Sequence, residues 1–559
     1  MTLPANFRLP RAITSHVEDV FPVLTDAQVA RVKAHGRVRH VERGEVLLEQ
    51  GAQNAPLFVV LEGGIELLWG PGGDHLLVTL GNGQFTGEMS LVSGRRGLVR
   101  LRATEPGEVV EVDHGELMAL VQGDSELSDV LMRAFMLRRT ELIAQGSGDV
   151  VVVGSHHSAG TLRVMDFLTR NGQPHSYIEL EHDPDAQAYL DRFQVGVEDV
   201  PVLICRGRTV LRNPTNQQIA ECLGLNAPLD ATQVRDVVIV GAGPAGLAAT
   251  VYGASEGLDV LIVESAAPGG QAGSSSRIEN YLGFPTGISG AQLAANAYTQ
   301  AQKFGAQMFV ARGAKELLGK RRPYRVQVED GPQVSARTVI VATGAAYRKL
   351  EVDGLARFEG AGIHYVASPL EAQLCREEEV IVVGGGNSAG QAAVYLAQTA
   401  RRVHMLVRSE GLAESMSRYL IRRIEQTDAI LLHTRMEIVA LEGGEHLERV
   451  HWRDGRTAAV ETCGVRHVFL MMGADPATRW LAGCVALDAS GFIKTGSDLS
   501  MDELAAAGWP LARAPYLLET SLPGVFAVGD VRAGNLKRVA SAVGEGSTAV
   551  FFVHQVLRE

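Results

Sequence analysis

Hydrophobic and polar positions alternate in several different rhythms along the chain. Up to about residue 145, short β-like runs at 45–49, 57–61 and 65–69 are separated by turns at Gly51 and at Gly63-Gly64. Even spacing of short strands predicts a small β-barrel or jelly roll. Residues 125–144 then repeat with a helical period, with Leu127, Val130, Leu131, Ala134, Phe135 and Leu142 on one face. From 149 to 225 the pattern becomes β-α-β: strand 149–154, helix 161–170, strand 175–180 and strand 200–204, the last entered through Pro201. Residues 226–232, with Pro228, read as a linker. From Asp236 onward the chain is α/β, with two strand–glycine loop–helix units at Val237 and Val380. The expected fold class is therefore α/β, with two Rossmann-like dinucleotide-binding domains preceded by a β-rich jelly roll and a smaller α/β domain. The expected boundaries are 1–145, 149–225, 235–350, 351–474 and 475–559.

The two glycine loops carry the first candidate chemistry. An apolar run at 236–240 leads directly into Gly241-Ala-Gly-Pro-Ala-Gly246, a helical run follows, and the next strand ends in Glu264. A dinucleotide site requires this order. Gly241 makes the tight turn, Gly243 admits the pyrophosphate to the backbone, and Gly246 lets helix pack on strand. The helix N-terminus at Pro244 and Ala245 faces phosphate charge, and Glu264 stands where a ribose hydroxyl binds. The second unit reads Gly384-Gly-Gly-Asn-Ser-Ala389, so Gly384, Gly386, Asn387, Ser388 and Ala389 form its loop, with alanine in place of the third glycine. Its next strand ends in Arg408 rather than an acid. Arginine suits a 2′-phosphate, so NADPH is expected ahead of NADH, which stays open as an alternative.

Further segments carry a family resemblance. Pro268-Gly-Gly-Gln271 with Ile278-Glu-Asn-Tyr281, then Val339-Ile-Val-Ala-Thr-Gly344, then Pro523-Gly-Val-Phe-Ala-Val-Gly-Asp530, occur in the order seen in low-molecular-weight thioredoxin reductases. The chain resembles that family from about residue 236 to its end. The resemblance implies FAD, held by Gln271, Asn280, Ala342, Thr343, Gly529 and Asp530. Lys537-Arg538-Val539 stands where the family usually has Arg-Gln-Ala near the isoalloxazine. Extra positive charge there would favour reduced, anionic flavin. The family's NADP cluster is thinned to Arg408, with Arg418 or Arg422 as substitutes; position 413 is alanine. The resemblance also implies a homodimer.

The family's redox C-x-x-C is missing. Its slot, before the second glycine loop, reads Ala367-Ser-Pro-Leu370. Residues 149–225 resemble thioredoxin or glutaredoxin, in which the proline before the third strand is cis and faces the redox cysteines. Here the slot for those cysteines, at the head of the helix, reads Ser158-Ala-Gly-Thr161 after His156 and His157, again without cysteine. Cys375 is the thiol nearest the vacated reductase slot. It is a weak catalytic candidate beside its plainer reading as a packed small side chain.

The N-terminal glycine spacing and Phe85-Thr-Gly-Glu-Met-Ser-Leu91 resemble a cyclic-nucleotide-binding domain. Gly87 and Glu88 match its phosphate cassette. The cassette's arginine position reads Gly97, with Arg95 and Arg96 one or two residues early. The resemblance implies a cyclic nucleotide effector held by Gly87, Glu88 and one of these arginines; a degenerate module for dimer or partner contacts is the alternative.

Composition adds exclusions. The 559 residues carry a net charge of −12, 46% hydrophobic and 21% charged residues. An acidic balance argues against a non-specific nucleic-acid partner. No apolar run reaches membrane-spanning length and residues 1–11 show no signal-peptide pattern, so a cytoplasmic protein is expected. The five cysteines, at 205, 222, 375, 463 and 484, are too far apart for a C-x-x-C or a local zinc knuckle, and no metal is expected. The leading expectation is an FAD-dependent NAD(P)H oxidoreductase that passes electrons to an external acceptor beneath a regulatory module. Two alternatives stand beside it: a thioredoxin-disulfide reductase working through dispersed cysteines or a thiol partner, and a non-enzymatic flavin or nucleotide sensor.

Overall fold

Seven short strands near the N-terminus close into a roll of two sheets in the computed structural model. One runs Arg37–Val41, Gly107–Val112, Leu57–Glu62; the other runs Val46–Leu48, Arg100–Ala103, Ile65–Trp69, His75–Leu80. The structure describes residues 17–69, 75–144, 150–155, 158–180, 199–205, 209–230, 232–275, 277–278, 280–359, 361–365, 367, 369–412, 416–444 and 446–559. The helix Ser125–Ala144 has the bounds its periodicity predicts. Leu127, Leu131, Ala134 and Phe135 are fully buried in the core that it shares with the roll.

The next unit is a four-stranded sheet in the order Thr209–Arg212, Val202–Cys205, Val150–Gly154, Ser176–Glu179. The last two strands are parallel and are joined through the helix Ala159–Arg170; the other pairings are antiparallel. Ser158 caps that helix by accepting from the Thr161 amide at 3.4 Å. The Val200–Pro201 peptide is cis. Pro201 packs on the first helical turn, where a Cβ at Gly160 would lie 2.8 Å from its ring. His156 and His157 lie outside the described residues.

The third unit holds a seven-stranded sheet. Gln307–Phe309, Val260–Val263, Val234–Val240, Gln333–Val341 and Val525–Ala527 run parallel; Tyr324–Val328 and Ala314–Leu318 form an antiparallel edge. Such strands are buried on both faces, which explains their continuous apolar runs. Helices Pro244–Ser255 and Val539–Arg558 pack together over one face. The two-stranded ribbon Ala345–Tyr347 with Ala474–Pro476 carries the chain out to the fourth unit and back.

That unit is a five-stranded parallel sheet in the order Ile363–His364, His467–Leu470, Glu379–Val383, Arg402–Val407, Ile430–Thr434. Helices Asn387–Leu396 and Arg418–Glu425 contribute to the core on one face. The antiparallel meander Met436–Gly443, Leu447–Asp454, Val460–Cys463 covers the other through Ile438, Val450 and Trp452. Among the described residues no helix is long and apolar enough to cross a membrane.

Candidate functional site

Parallel pairing brings the flavin-type segments to one edge. Gly241 follows Val234–Val240, Glu264 follows Val260–Val263, Ala342 and Thr343 follow Gln333–Val341, and Gly529 and Asp530 come shortly after Val525–Ala527. All therefore gather at the carboxyl ends of the strands, where open α/β sheets bind ligands. Gly241 has φ +103°, and a Cβ there would lie 2.4 Å from the Ala342 carbonyl oxygen. Gly246 touches the turn it follows, since its Cβ would come 1.8 Å from the Gly241 oxygen. Gly243, the N-cap before Pro244, has open space beside it; a Cβ would meet only the Gly270 Cα at 4.0 Å. A pyrophosphate needs such a bare backbone at a helix N-terminus, so the loop fits the phosphate part of FAD.

The buried Glu264 accepts from the amides of Ala242 at 2.7 Å and Ala266 at 2.9 Å, which fixes its carboxylate against the glycine loop. Gln271 donates to the Ala345 carbonyl and so ties the Pro268–Gln271 segment to the strand end carrying Ala342 and Thr343. Thr343 donates to the Ala477 carbonyl at 2.9 Å, on the returning chain. Gly529 packs on Ala245. Burial raises the Asp530 carboxyl above its ordinary pKa, with Lys537 opposing the shift and Glu545 adding to it. Lys537 and Arg538 are exposed at the head of Val539–Arg558, with the Lys537 ammonium 4.6 Å from the Phe492 ring centroid. Asn280 is exposed, apart from the buried edge of the loop.

Sequence reasoning missed Arg170. From the last turn of Ala159–Arg170, its Nη2 donates to the carbonyls of Ala267 and Gly270, both at 3.1 Å. A helix-terminal arginine carries no mark in sequence of the loop it meets across the chain.

The second loop repeats the design. A Cβ on Gly384 would lie 2.2 Å from the Met471 oxygen, whereas Gly386, the N-cap of Asn387–Leu396, has open space. Ala389 is fully buried and Ser388 is exposed. Asn387 accepts from the Ser417 amide at 2.8 Å, which brings the start of Arg418–Glu425 beside the loop. Arg408 and Arg418 are both exposed, Arg408 just past its strand and Arg418 one residue beyond Ser417. Position 413 lies outside the described residues.

No disulfide joins any of the five cysteines. The vacated slot holds Ala367, buried, ahead of the helix Pro369–Leu374; Ser368 lies outside the described residues. Cys375 is the weak catalytic candidate. It is fully buried among Val380, Val382, Ala392 and Leu396, and burial pushes its thiol pKa up, with Glu378 and Glu371 adding to the rise. A thiol whose pKa is raised by burial is a poor nucleophile.

The roll encloses a cavity of about 80 Å³ lined mostly by aliphatic side chains, with Gly87, Glu88, Ser90, Arg138 and Glu141 among its lining. The expected arginines, Arg95 and Arg96, are not among its lining residues. Arg95 turns outward and donates to the Tyr298 hydroxyl and, at 3.3 Å, to the Asn171 carbonyl. Arg96 packs against Gly224, at the C-cap of Asn216–Leu223. Neighbouring units draw both guanidiniums away from the cavity. Glu88 pairs instead with Arg139 at 3.0 Å, both side chains 11% exposed. Arg138 reaches the cavity sandwiched between Phe21 and Phe85, donating to the Val20 and Gly87 carbonyls at 2.8 Å. Burial lowers its pKa to about 9, so it remains charged at neutral pH, and its Nη2 has no hydrogen-bond partner among the described residues.

A family model described as pyridine nucleotide-disulphide oxidoreductase matches residues 235–546, and one described as cyclic nucleotide-binding domain matches residues 38–124. The thioredoxin reductase of Mycolicibacterium smegmatis is 32% identical over 327 residues, covering 58% of this chain and 97% of its own length. That of Bacillus subtilis is 31% identical over 329 residues, covering 58% and 96%. The crystal structure of Lactococcus lactis thioredoxin reductase in its FR conformation superposes with a TM-score of 0.52 at 27% identity, over 58% of this chain and 100% of the other.

Proposed function

The chain belongs to the pyridine nucleotide-disulphide oxidoreductase family, and from that premise we propose that it draws electrons from NADPH through FAD and delivers them to an acceptor outside the chain. It is an FAD-dependent NAD(P)H oxidoreductase of the thioredoxin reductase type, with FAD and NADPH as its cofactors. The flavin supplies the redox chemistry; the protein supplies binding, orientation and charge. The 241–246 loop, Gln271 and Asp530 would hold FAD. The 384–389 loop with Arg408 and Arg418 would hold NADPH. Asn280 belongs to this set by resemblance only.

The acceptor is read as external because the slot of the family's redox pair holds Ala367, while Cys375, the thiol nearest it in sequence, is buried with its pKa pushed up. The relatives are named thioredoxin reductases. With no cysteine in Ala367-Ser-Pro-Leu370, no disulfide at that slot can relay electrons from the flavin to a disulfide acceptor. Anaerobic titration with NADPH tests the reading. The flavin alone should account for the electrons taken up, two per FAD. Uptake of four, falling to two in a cysteine-free variant, would restore the disulfide relay and overturn the proposal.

The roll and the 149–225 unit are read as a regulatory module and its coupling. The sheet order supports a thioredoxin-like fold serving as scaffold. Arg139 joins Glu88 to the Gly172 carbonyl at 2.8 Å, and Arg170, two residues earlier, clamps the 267–270 segment. A cyclic nucleotide in the cavity would meet Arg138 rather than Arg95 or Arg96, and would compete with Arg139 for Glu88. Calorimetry with cAMP and cGMP on the full chain tests this. Absence of heat at millimolar ligand would leave the roll as a docking or dimer element. The reading carries with it a cytoplasmic homodimer, which light scattering on the purified protein tests for assembly.

A further inference from the structure

Three side chains of metal-ligating type converge between the parallel sheet of residues 363–470 and the meander that covers it. Glu379 opens Glu379–Val383, His404 lies within Arg402–Val407, and Cys463 closes Val460–Cys463. One carboxylate oxygen, one ring nitrogen and the Cys463 Sγ all lie within 4.8 Å of one another. The cluster stands at the start of Glu379–Val383, opposite the end from which the 384–389 loop emerges, so it is separate from the nucleotide site.

The surroundings orient these groups. His404 is 8% exposed. Its Nε2 faces Glu379 Oε2 at 3.4 Å, and its Nδ1 lies 3.1 Å from His433 Nε2. One ring nitrogen is thus held by a second imidazole while the other points at the carboxylate. That is the outer-shell hydrogen bond that sets the tautomer and direction of metal-bound histidines. Trp452 covers the pair, its ring centroid 5.6 Å from His404 and 5.5 Å from His433, with its indole N–H donating to Glu461 at 3.1 Å. The Glu379 carboxylate is divided: Oε1 faces Arg401 at 3.4 Å and Arg402 at 3.8 Å, leaving Oε2 toward His404. Apolar packing accounts for the Trp452–His433 stack. It does not account for a carboxylate, an imidazole nitrogen and a thiol meeting in a half-buried site.

We propose that Glu379, His404 and Cys463 bind one divalent transition-metal ion of the zinc class, with solvent in the remaining position. One sulfur, one nitrogen and one oxygen form a borderline donor set. Magnesium and calcium take oxygen ligands instead. Metal–ligand bonds of about 2.0–2.3 Å need the three donors to draw in by roughly 1 Å. Binding replaces the Cys463 thiol proton, which passes to solvent. The ion would pin the meander strand Val460–Cys463 to the parallel strands at Glu379 and His404, so its first effect is on stability.

Cobalt is the probe, because zinc has no visible spectrum. Full-length protein stripped with a chelator and titrated with Co²⁺ should bind one ion per chain. It should also develop thiolate-to-cobalt charge-transfer absorption in the difference spectrum against the flavin. Zn²⁺ should displace the cobalt and raise the melting temperature. Cys463→Ala should lose the charge-transfer band and the thermal shift while keeping its FAD. His433→Phe should keep the band with affinity about 10–100-fold weaker. If wild type shows no charge-transfer band, or Cys463→Ala keeps it, the proposal fails. Should Cys463→Ala not fold, the wild-type titration and His433→Phe decide alone, and unchanged affinity in His433→Phe would overturn the site.

Discussion

Arg170 reaches the carbonyl oxygen of Gly270, 100 residues further along, at 3.1 Å, with the Ala267 carbonyl at the same distance on the same Nη2. This contact joins the helix Ala159–Arg170 to the loop that faces Gly243. Hydrogen bonds from a charged donor contribute about 1.5–3 kcal/mol. Arg170→Ala should therefore release FAD about 10–100-fold faster, read as recovery of free-flavin fluorescence on dilution. Release at the wild-type rate would mean that the loop holds itself.

The first glycine loop separates a folding role from a binding role. Gly243 has open space beside it and Gly246 has none. Gly243→Ala should fold with near-normal apoprotein stability yet bind FAD weakly, and Gly243→Glu should abolish binding because a negative charge would occupy the phosphate path. Gly246→Ala should lose about 1–3 kcal/mol of stability through overpacking, with or without flavin. Paired urea melts and flavin absorbance distinguish the two. Full FAD occupancy in Gly243→Glu would move the site elsewhere.

Arg408 directly follows the strand Arg402–Val407, where an acid would select NADH. A single charge-assisted contact to a 2′-phosphate is worth about 1.5–3 kcal/mol. NADPH should bleach the flavin faster than NADH, and Arg408→Ala should remove about 10–100-fold of that preference. Equal wild-type rates for the two cofactors would leave Arg408 as a solvated charge.

His364 gives the fourth unit a pH dependence. Its ring stacks on His467 and Phe469, and burial, with His467 adding, pushes its pKa down to about 3 from 6.5. A histidine whose folded pKa is depressed binds its proton in the unfolded chain first. Its contribution is complete above pH 6.5 and is lost as pH falls toward 3, with a slope approaching about 1.4 kcal/mol per pH unit. Urea melts between pH 7 and pH 4 should fall less steeply for His364→Leu than for wild type; parallel slopes would show that other groups govern acid unfolding.

What the sequence alone determined is local and ordered along the chain. The loops at 241–246 and 384–389 were legible because a tight turn, a bare backbone and a close helix each need glycine or alanine at a fixed offset from an apolar strand. The helix 125–144 was legible from its period, and the empty redox slots from the absence of cysteine. Tertiary structure alone decided where charged side chains point. Arg95 and Arg96 looked like phosphate ligands by position, but Tyr298, Asn171 and Gly224 approach from other units and draw both away, while Arg139 from a distant helix takes Glu88. Cys375 stood near a functional slot in sequence and lies in a core in space. Glu379, His404 and Cys463 come from three strands, so no spacing announced them. The physical reason is common to these cases. Backbone periodicity is set by neighbours a few residues away, whereas a long polar side chain takes whichever partner the packing of remote segments brings within about 3 Å.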